Sequence, residues 1–588
     1  MSFKISRREL IQKTLASFGA LSVPVALTAC GSDDKEAAAP LVNAEFLHGV
    51  ASGDPLKDRV ILWTRLTPQD SSARLELVWE IATDDKFVQI INSGRVQTSK
   101  AQDFTVKVDA QKLKSDQRYF YRFRYGSVIS PVGQTKTLAE STQSVKFAVC
   151  SCSNYPAGYF HVYREMAKQD VDVVIHLGDY IYEYGANGYA TEDAEELGRS
   201  LPEDNNKEII KLDDYRKRYA LYRKDKDLQA AHHRHPFIVI WDDHELANDT
   251  WKAGAENHQP DEGSFVERKL AALQAYFEWM PIRPVAENNH LNIYRQFEFG
   301  NLVQLTMLDT RILARDQQLD YADYLTAQGM DLSRFQADLS NPKRTIMGYE
   351  QREWLQAQLA QSKATWQVLG QQVLMSKMLI PAELLTALGG IMNGQADEAS
   401  IAKLYQQVEE LVILKLRFKG NDPSLTQLEL ARINTVAPYN LDAWDGYFAE
   451  REIIYQSLKA MNKKAVVLAG DTHNAWSSTL HTLQNDFIGV ELACSSVSSP
   501  GMEQYLKIPV EQLQQIEMAF MTLIDELDYC NLNQRGYLLV NFNAKDLKAE
   551  WVFVDTIKSK LYQVDQSRGF ELALNTDLKK MNHVMSEA

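Results

Sequence analysis

Four short motifs in this chain set aspartates beside groups that bind metal ions: GD at 178–179, DDHE at 242–245, LDTR at 308–311 and GDTH at 470–473. Each follows an apolar run, respectively VDVVIHL, PFIVIW, LVQLTM and AVVLA, of the length expected for a buried strand. Ligands of open α/β sheets gather outside the carboxyl ends of the strands. Asp179, Asp242, Asp243, His244, Asp309, Asp471 and His473 are therefore expected to converge although hundreds of residues separate them. An aspartate after a strand also caps turns and helices, but a cap has no need of the histidine. An aspartate that bridges two cations about 3.5–4 Å apart lets them clamp the attacking and leaving oxygens of a phosphoryl transfer, and Asp179 is the candidate bridge. Oxygen donors suit calcium-like ions, whereas nitrogen, thiolate or phenolate suit iron or zinc. Cys150 and Cys152 flank Ser151 in a strand-like run, so both are expected on one side, one free to ligate while the other packs.

The elements that must position these residues change character along the chain. From about 45 to 139, alternating runs such as RVILWTRL, RLELVWEIAT and YFYRFRYG, separated by turn residues, predict an antiparallel β-sandwich domain. From about 145, apolar strands alternate with longer helical stretches, which predicts an α/β domain running to 565 and leaves 566–588 as a C-terminal tail. Polar residues 317–340 and the segment 376–430, with its helical KLYQQVEELVILKLRFK, read as insertions. The 588 residues exceed what one core supports, and 45% apolar with 24% charged residues is an ordinary globular composition. The net charge of −15, without a basic stripe, argues against a protein that grips nucleic-acid backbones.

Residues 1–29 read as an export signal: Lys4, Arg7, Arg8 and Lys13 precede an uncharged stretch broken by Gly19 and Pro24. SRRELIQK resembles a twin-arginine signal, which implies passage through the twin-arginine machinery, and LTAC resembles a lipobox, which implies lipid on Cys30. The small and charged run GSDDKEAAAP then makes 30–44 a tether. The expected location is outside the cytoplasm, as a periplasmic or cell-surface lipoprotein that meets the membrane only through its lipid.

Taken in order, FLHGVASGDPLKDRVILWTRL, GDYIYEYG, WDDHELAND, LDTR, DAWDGYFAERE, LAGDTHNAWSS and SVSSPG resemble the PhoD-type alkaline phosphatases and phosphodiesterases over residues 46 to about 555. That resemblance implies a fibronectin-III-like β-sandwich before a metallophosphoesterase-like α/β domain. It implies one ferric ion and two calcium ions, and hydrolysis of phosphate monoesters or diesters at alkaline pH by metal-activated water. It also implies Cys152, Asp179, Tyr182, Asn248, Asp471 and His473 as metal ligands, with Asp242 or Asp243 beside them. Asp179, Asp243 and His244 are the residues expected to serve catalysis. The alternatives are a phosphodiesterase of the phospholipase D type, a serine hydrolase, for which no GxSxG elbow exists, and a non-catalytic surface protein that binds through its β-sandwich.

Other tempting residues have plainer readings. His232, His233 and His235 read as a polar helix end feeding a strand, because no acid or cysteine joins them at ligand spacing. Tyr180, Tyr182 and Tyr184 would share one side of an extended stretch. Asp309 and Arg311 fit an ion pair or a phosphate clamp equally, and Asp442, Trp444 and Asp445 read as loop-shaping residues.

Overall fold

The computed structural model describes residues 42–285, 291–327, 329–392 and 398–580. The expected signal, Cys30 and most of the expected tether lie outside the described residues. Two large sheets carry the α/β part. In the first, among the described residues, Ser144–Cys150, Val173–His176 and Pro236–Val239 run parallel, and antiparallel Arg535–Asn543, Asp546–Val554 and Val564–Asn575 extend one edge. In the second, Val303–Met307, Trp366–Gln371, Ala465–Ala469 and Phe487–Ala493 are parallel, Arg295–Phe299 and Ala475–His481 flank them antiparallel, and Leu527–Asn531 pairs antiparallel with the outer edge of Ala475–His481. These central strands are buried on both faces over most of their length, as their largely apolar runs require. One core lies between the sheets, where Phe147, Val149, Leu305, Trp366 and Leu468 meet. A second lies on the far side of the second sheet, under Gly348–Gln361, Phe448–Ala460 and Leu513–Leu523.

Near the N-terminus, Gly133–Lys136, Arg118–Tyr125, Leu75–Ala82 and Ile90–Thr98 form an antiparallel sheet with Val128–Ile129 attached. The strands facing it, Val50–Gly53, Arg59–Arg65 and Thr105–Gln111, are not confined to a separate module. They continue the first α/β sheet, because Val50–Gly53 pairs in parallel with Pro236–Val239. The sequence explains how: in RVILWTR, Val60 and Leu62 pack into the sandwich core while Trp63 on the opposite face belongs to the large core. Alternation here has two apolar faces rather than one wet face. A second correction concerns the expected tail, since residues 566–575 belong to the edge strand Val564–Asn575, where Leu572 and Leu574 are buried. The segments expected as insertions fold as small satellites. Residues 317–340 form a short hairpin and the helix Leu332–Leu339 over a four-residue core, and 376–430 supplies Ala382–Met392, Glu398–Lys419 and Gln427–Asn434. Among the described residues no helix is long and apolar enough to cross a membrane.

The shared sheet is fastened at the SGDP turn. Asp54, buried, takes a bidentate pair from Arg295 at 2.7 and 3.0 Å, and Arg295 also donates to the Val239 carbonyl at 2.8 Å. Both large sheets and the N-terminal strands thus meet at one charge pair. Beside it, a Cβ on Gly53 would come within 2.2 Å of the Pro281 carbonyl and 2.7 Å of the Phe237 carbonyl, both backbone atoms that cannot swing away. Gly53→Ala is therefore expected to destabilise the whole chain by about 1–3 kcal/mol. Scanning calorimetry should show one transition moving down, with the N-terminal strands and the α/β part melting together rather than separately.

Candidate functional site

Among the described residues, all the expected site residues except Asn248 lie just beyond the carboxyl ends of parallel strands or on the short turns that follow them. Ser144–Cys150 leads to Cys152, Val173–His176 to Asp179 and Tyr182, Pro236–Val239 to Asp242, Asp243 and His244, and Ala465–Ala469 to Asp471 and His473. A parallel bridge between Ser151 and Ser496 joins the two sheets at this end. Cys152, Asp179, Asp471 and His473 all have left-handed backbones, with φ of 62°, 56°, 58° and 59°. Non-glycine residues avoid this region, and where they adopt it around a site the surrounding structure must hold them. Gly178 shows how closely these turns approach one another: a Cβ there would lie 2.4 Å from the Cβ of Asp242.

Three groups could each hold a cation, with one donor atom per residue and all donors in a group within 4.8 Å of one another: Cys152, Asp179 and His473; Asp179, Asp243 and His244; and Asp242, Asp243 and Asp471. Asp179 is common to the first two, as a bridging carboxylate must be. The Tyr182 hydroxyl donates to Asp179 Oδ2 at 3.0 Å, lies 3.2 Å from His473 Nε2, and accepts from Ser499 Oγ at 2.6 Å. The His473 Nδ1 lies 2.7 Å from the Pro500 carbonyl, which can only accept, so Nδ1 carries the proton and Nε2 keeps its lone pair facing Tyr182 and Asp179. SVSSPG thus works through Ser499 and Pro500. The left-handed turn at Cys152 ends the strand alternation, so Cys150 packs into the core while Cys152 faces Asp179; the two thiols do not share one side.

The tyrosines also part company, because the stretch after Asp179 is not a strand. Tyr180 turns away to His232 at 2.8 Å, Tyr182 points into the site, and Tyr184 lies against the His244 ring with 5.4 Å between centroids. His233 accepts from the Val50 amide and His235 reaches the Met166 carbonyl, so the three neighbouring histidines go to three separate tasks at the end of Lys226–Arg234. Asp309 caps the turn of residues 311–313, its two carboxylate oxygens accepting their backbone amides. Asn248 lines the cleft, its amide donating to Glu256 at 3.2 Å. Asp445 pairs with Arg451 at 2.6 Å and Trp444 donates to Gln371, both within the fold.

Sequence reasoning left Glu183 and Glu245 unassigned and Arg311 undecided, although all three stand inside the quoted motifs. Glu245 accepts the backbone amides of Asp179, Tyr180 and Asp242, which binds the GDY turn to the DDHE turn. Glu183 accepts from His244 Nδ1 at 2.7 Å, the Asn248 amide at 2.8 Å and Asn257 at 2.8 Å. Arg311, fully buried, contacts Asp242, Asp442 at 2.7 Å and Asp471 at 3.1 Å, and lies 3.7 Å from Asp243. No short motif reveals such partners, since all but the Asp242 amide on Glu245 lie 60 or more positions away, as in the 61 from Glu183 to His244.

The electrostatics are unbalanced in one direction. Burial, then the Asp243, Asp179 and Asp471 charges, push the Asp242 carboxyl well up despite Arg311. Asp243 is held down to about 2 against burial by Arg311 and His244. Burial followed by Asp442 and Asp243 lifts Asp249 to about 8. Burial, then Asp179, raises both the Cys152 thiol and the Tyr182 phenol well above their usual ranges. His244, although burial opposes its charge, is held protonated by Glu183, Asp243 and Asp179. Asp179 Oδ1, Asp242 Oδ2 and Asp243 Oδ1 are buried without any hydrogen-bond partner in the protein. A cation among them would offset what Arg311 and His244 leave uncompensated, so the donor set fits bound metal. The site opens into a cleft of about 510 Å³.

Two such sheets, ringed at one end by aspartates, histidines and a thiol that could hold cations, present the donor set that metal-assisted hydrolysis needs. Comparison with known proteins specifies it further. Residues 147–551 match the PhoD-like phosphatase family and residues 32–139 its N-terminal domain. Alkaline phosphatase D of Bacillus subtilis (strain 168) is 33% identical, covering 95% of this chain and 88% of its own length. A solved structure of PhoD superposes with a TM-score of 0.70 at 30% identity, covering 92% of this chain and 93% of that one. The chain belongs to the PhoD-like phosphatase family and is a phosphoric ester hydrolase.

Replacing Glu183 tests the orientation of His244. Glu183→Gln keeps the shape but presents an amide NH2 to groups that themselves donate. Stability is expected to fall by about 1.5–3 kcal/mol in urea denaturation, and kcat by about 10–100-fold. Nitrogen-15 spectra of the His244 ring should show loss of the fixed Nδ1 proton.

Proposed function

We propose that the chain is an exported, lipid-anchored phosphohydrolase that cleaves phosphate monoesters and diesters at alkaline pH with one ferric and two calcium ions. The observation that carries this reading is the convergence of Cys152, Tyr182 and His473 on Asp179, whose Oδ1 has no partner in the protein. Thiolate and phenolate are donors for a ferric ion, while the carboxylates of Asp242, Asp243 and Asp471 with Asn248 suit calcium. Cys152, Tyr182 and His473 would hold iron, Asp179 would bridge, and Asp243 is better placed than Asp242 toward the substrate, because it lines the cleft and Arg311 already occupies Asp242. When bound, the metals supply charge for the phosphoryl oxygens and water activated near neutral pH.

The chain's own groups do the remaining work. His244, kept charged and oriented through Nδ1 by Glu183, presents Nε2 to the reacting phosphoryl group as a hydrogen-bond donor and proton source for the leaving oxygen. Arg311 holds Asp242, Asp442 and Asp471 in place against their mutual repulsion. Tyr182 and Tyr184 close two sides of the His244 ring and exclude water from it. No side chain needs to form a covalent bond to phosphorus. The export signal SRRELIQK, the lipobox LTAC and the tether support an extracytoplasmic location, with Cys30 carrying the lipid.

Elemental analysis of natively exported protein tests the metal assignment, with rates on a phosphate monoester and a diester. Iron and calcium near one and two per chain are expected. Asp179→Asn should lose metal and nearly all turnover. Cys152→Ser and Tyr182→Phe should bleach the visible absorption and lower iron while calcium largely remains. A colourless, fully active wild type holding zinc instead of iron would refute the ferric assignment.

A further inference from the structure

The cleft has two unlike ends. At one end stand Asp243, His244, Asp471 and His473; at the other the wall is Ile380, Leu388, Trp476, Met502, Leu506 and Phe520. A compact phosphate ester needs only the first end. Leu388, Leu506 and Phe520 also line a narrow apolar pocket of about 30 Å³ that continues between Ala382–Met392, Glu398–Lys419 and Leu513–Leu523, where Ile401, Leu404 and Val408 face it. The apolar surface therefore begins beside the reacting centre and runs into the helical satellite formed by residues 376–430.

Charge narrows the occupant. No lysine or arginine lines the cleft among the described residues, and Arg311 is sealed behind the carboxylates with its side chain fully buried. A substrate bearing several phosphates, or a phosphate chain, would find no cation for those beyond the one that reacts. One phosphoryl group at the polar end with an uncharged hydrocarbon at the other matches both walls. The half-buried Leu388 and Leu506 and the 47% exposed Tyr505 leave this wall open to entry.

We infer that this apolar annex binds an alkyl chain on the substrate phosphate, making the enzyme selective for singly charged esters that carry hydrocarbon over compact or polyanionic ones. The inference rests on the phosphohydrolase reading above and adds the substrate class. Burial of each methylene is worth about a fourfold gain in kcat/KM.

The test uses the metal-loaded full chain and 4-nitrophenyl esters of methyl, butyl and octyl phosphate, kept below their micelle concentrations. Water adds to phosphorus as the bond to the nitrophenol oxygen breaks, giving nitrophenolate and the alkyl phosphate. From methyl to butyl, kcat/KM should rise more than about tenfold, mainly through KM, and methyl-, butyl- and octylphosphonate should inhibit in the same order. Leu388→Gln and Leu506→Gln, on separate elements, should each flatten the rise. A flat or falling dependence in the wild type with the methyl ester still hydrolysed overturns the annex alone. Failure to hydrolyse any member of the series overturns the phosphodiesterase reading and the annex with it.

Discussion

The structure depends on keeping a crowd of buried carboxylates together. Asp179, Asp242 and Asp243 are almost wholly buried, with Asp471 and Asp442 beside them, and they face Arg311 and His244, with Arg315 also paired to Asp442. Like charges a few ångströms apart in a medium of reduced dielectric repel by several kcal/mol each, so the arrangement stands only if the backbone around it is rigid. Two packed sheets provide that rigidity, and the Glu245 ties between the turns carry it to the ligands. Arg311 then has a use that neither an ion pair nor a phosphate clamp describes. It compensates the carboxylates from behind, which leaves their outer oxygens free for the cleft.

What could be read beforehand follows from which signals are local. Apolar runs such as AVVLA and PFIVI are strands because their length and lack of polar breaks admit little else, and the other central parallel strands of the two large sheets coincide with largely apolar runs of similar length. The Asp–His pairs after them were visible for the same reason. The direction of a side chain after a strand was not legible. One left-handed residue reverses it, as Cys152 and Asp179 do, and nothing in VCSCS or GDYIYEY announces a positive φ at a cysteine or an aspartate.

Partnership across the chain was equally hidden. Nothing in GDYIYEYG marks Glu183 as the acceptor for His244 and Asn257, which lie 61 and 74 positions further along. The N-terminal strands looked like one face of an independent sandwich because period-two alternation does not distinguish a wet face from one buried by another sheet. Only the pairing of Val50–Gly53 with Pro236–Val239 does. Of the 566–588 expected as a tail, residues 566–575 pair into the edge strand Val564–Asn575, whose open side tolerates polar residues.

The wide spacing of the ligand turns has a consequence for biosynthesis. The Tyr182–His473 contact spans 291 positions, and His473 takes its tautomer from the carbonyl of Pro500. A nascent chain released from the ribosome only as far as the second sheet's early strands has Asp179 and Cys152 but neither the imidazole nor the carbonyl that orients it. The strand Arg535–Asn543, which pairs with Ser144–Cys150, emerges later still. The centre is thus a product of the finished polypeptide, and synthesis must be nearly complete before there is anything for a cation to enter.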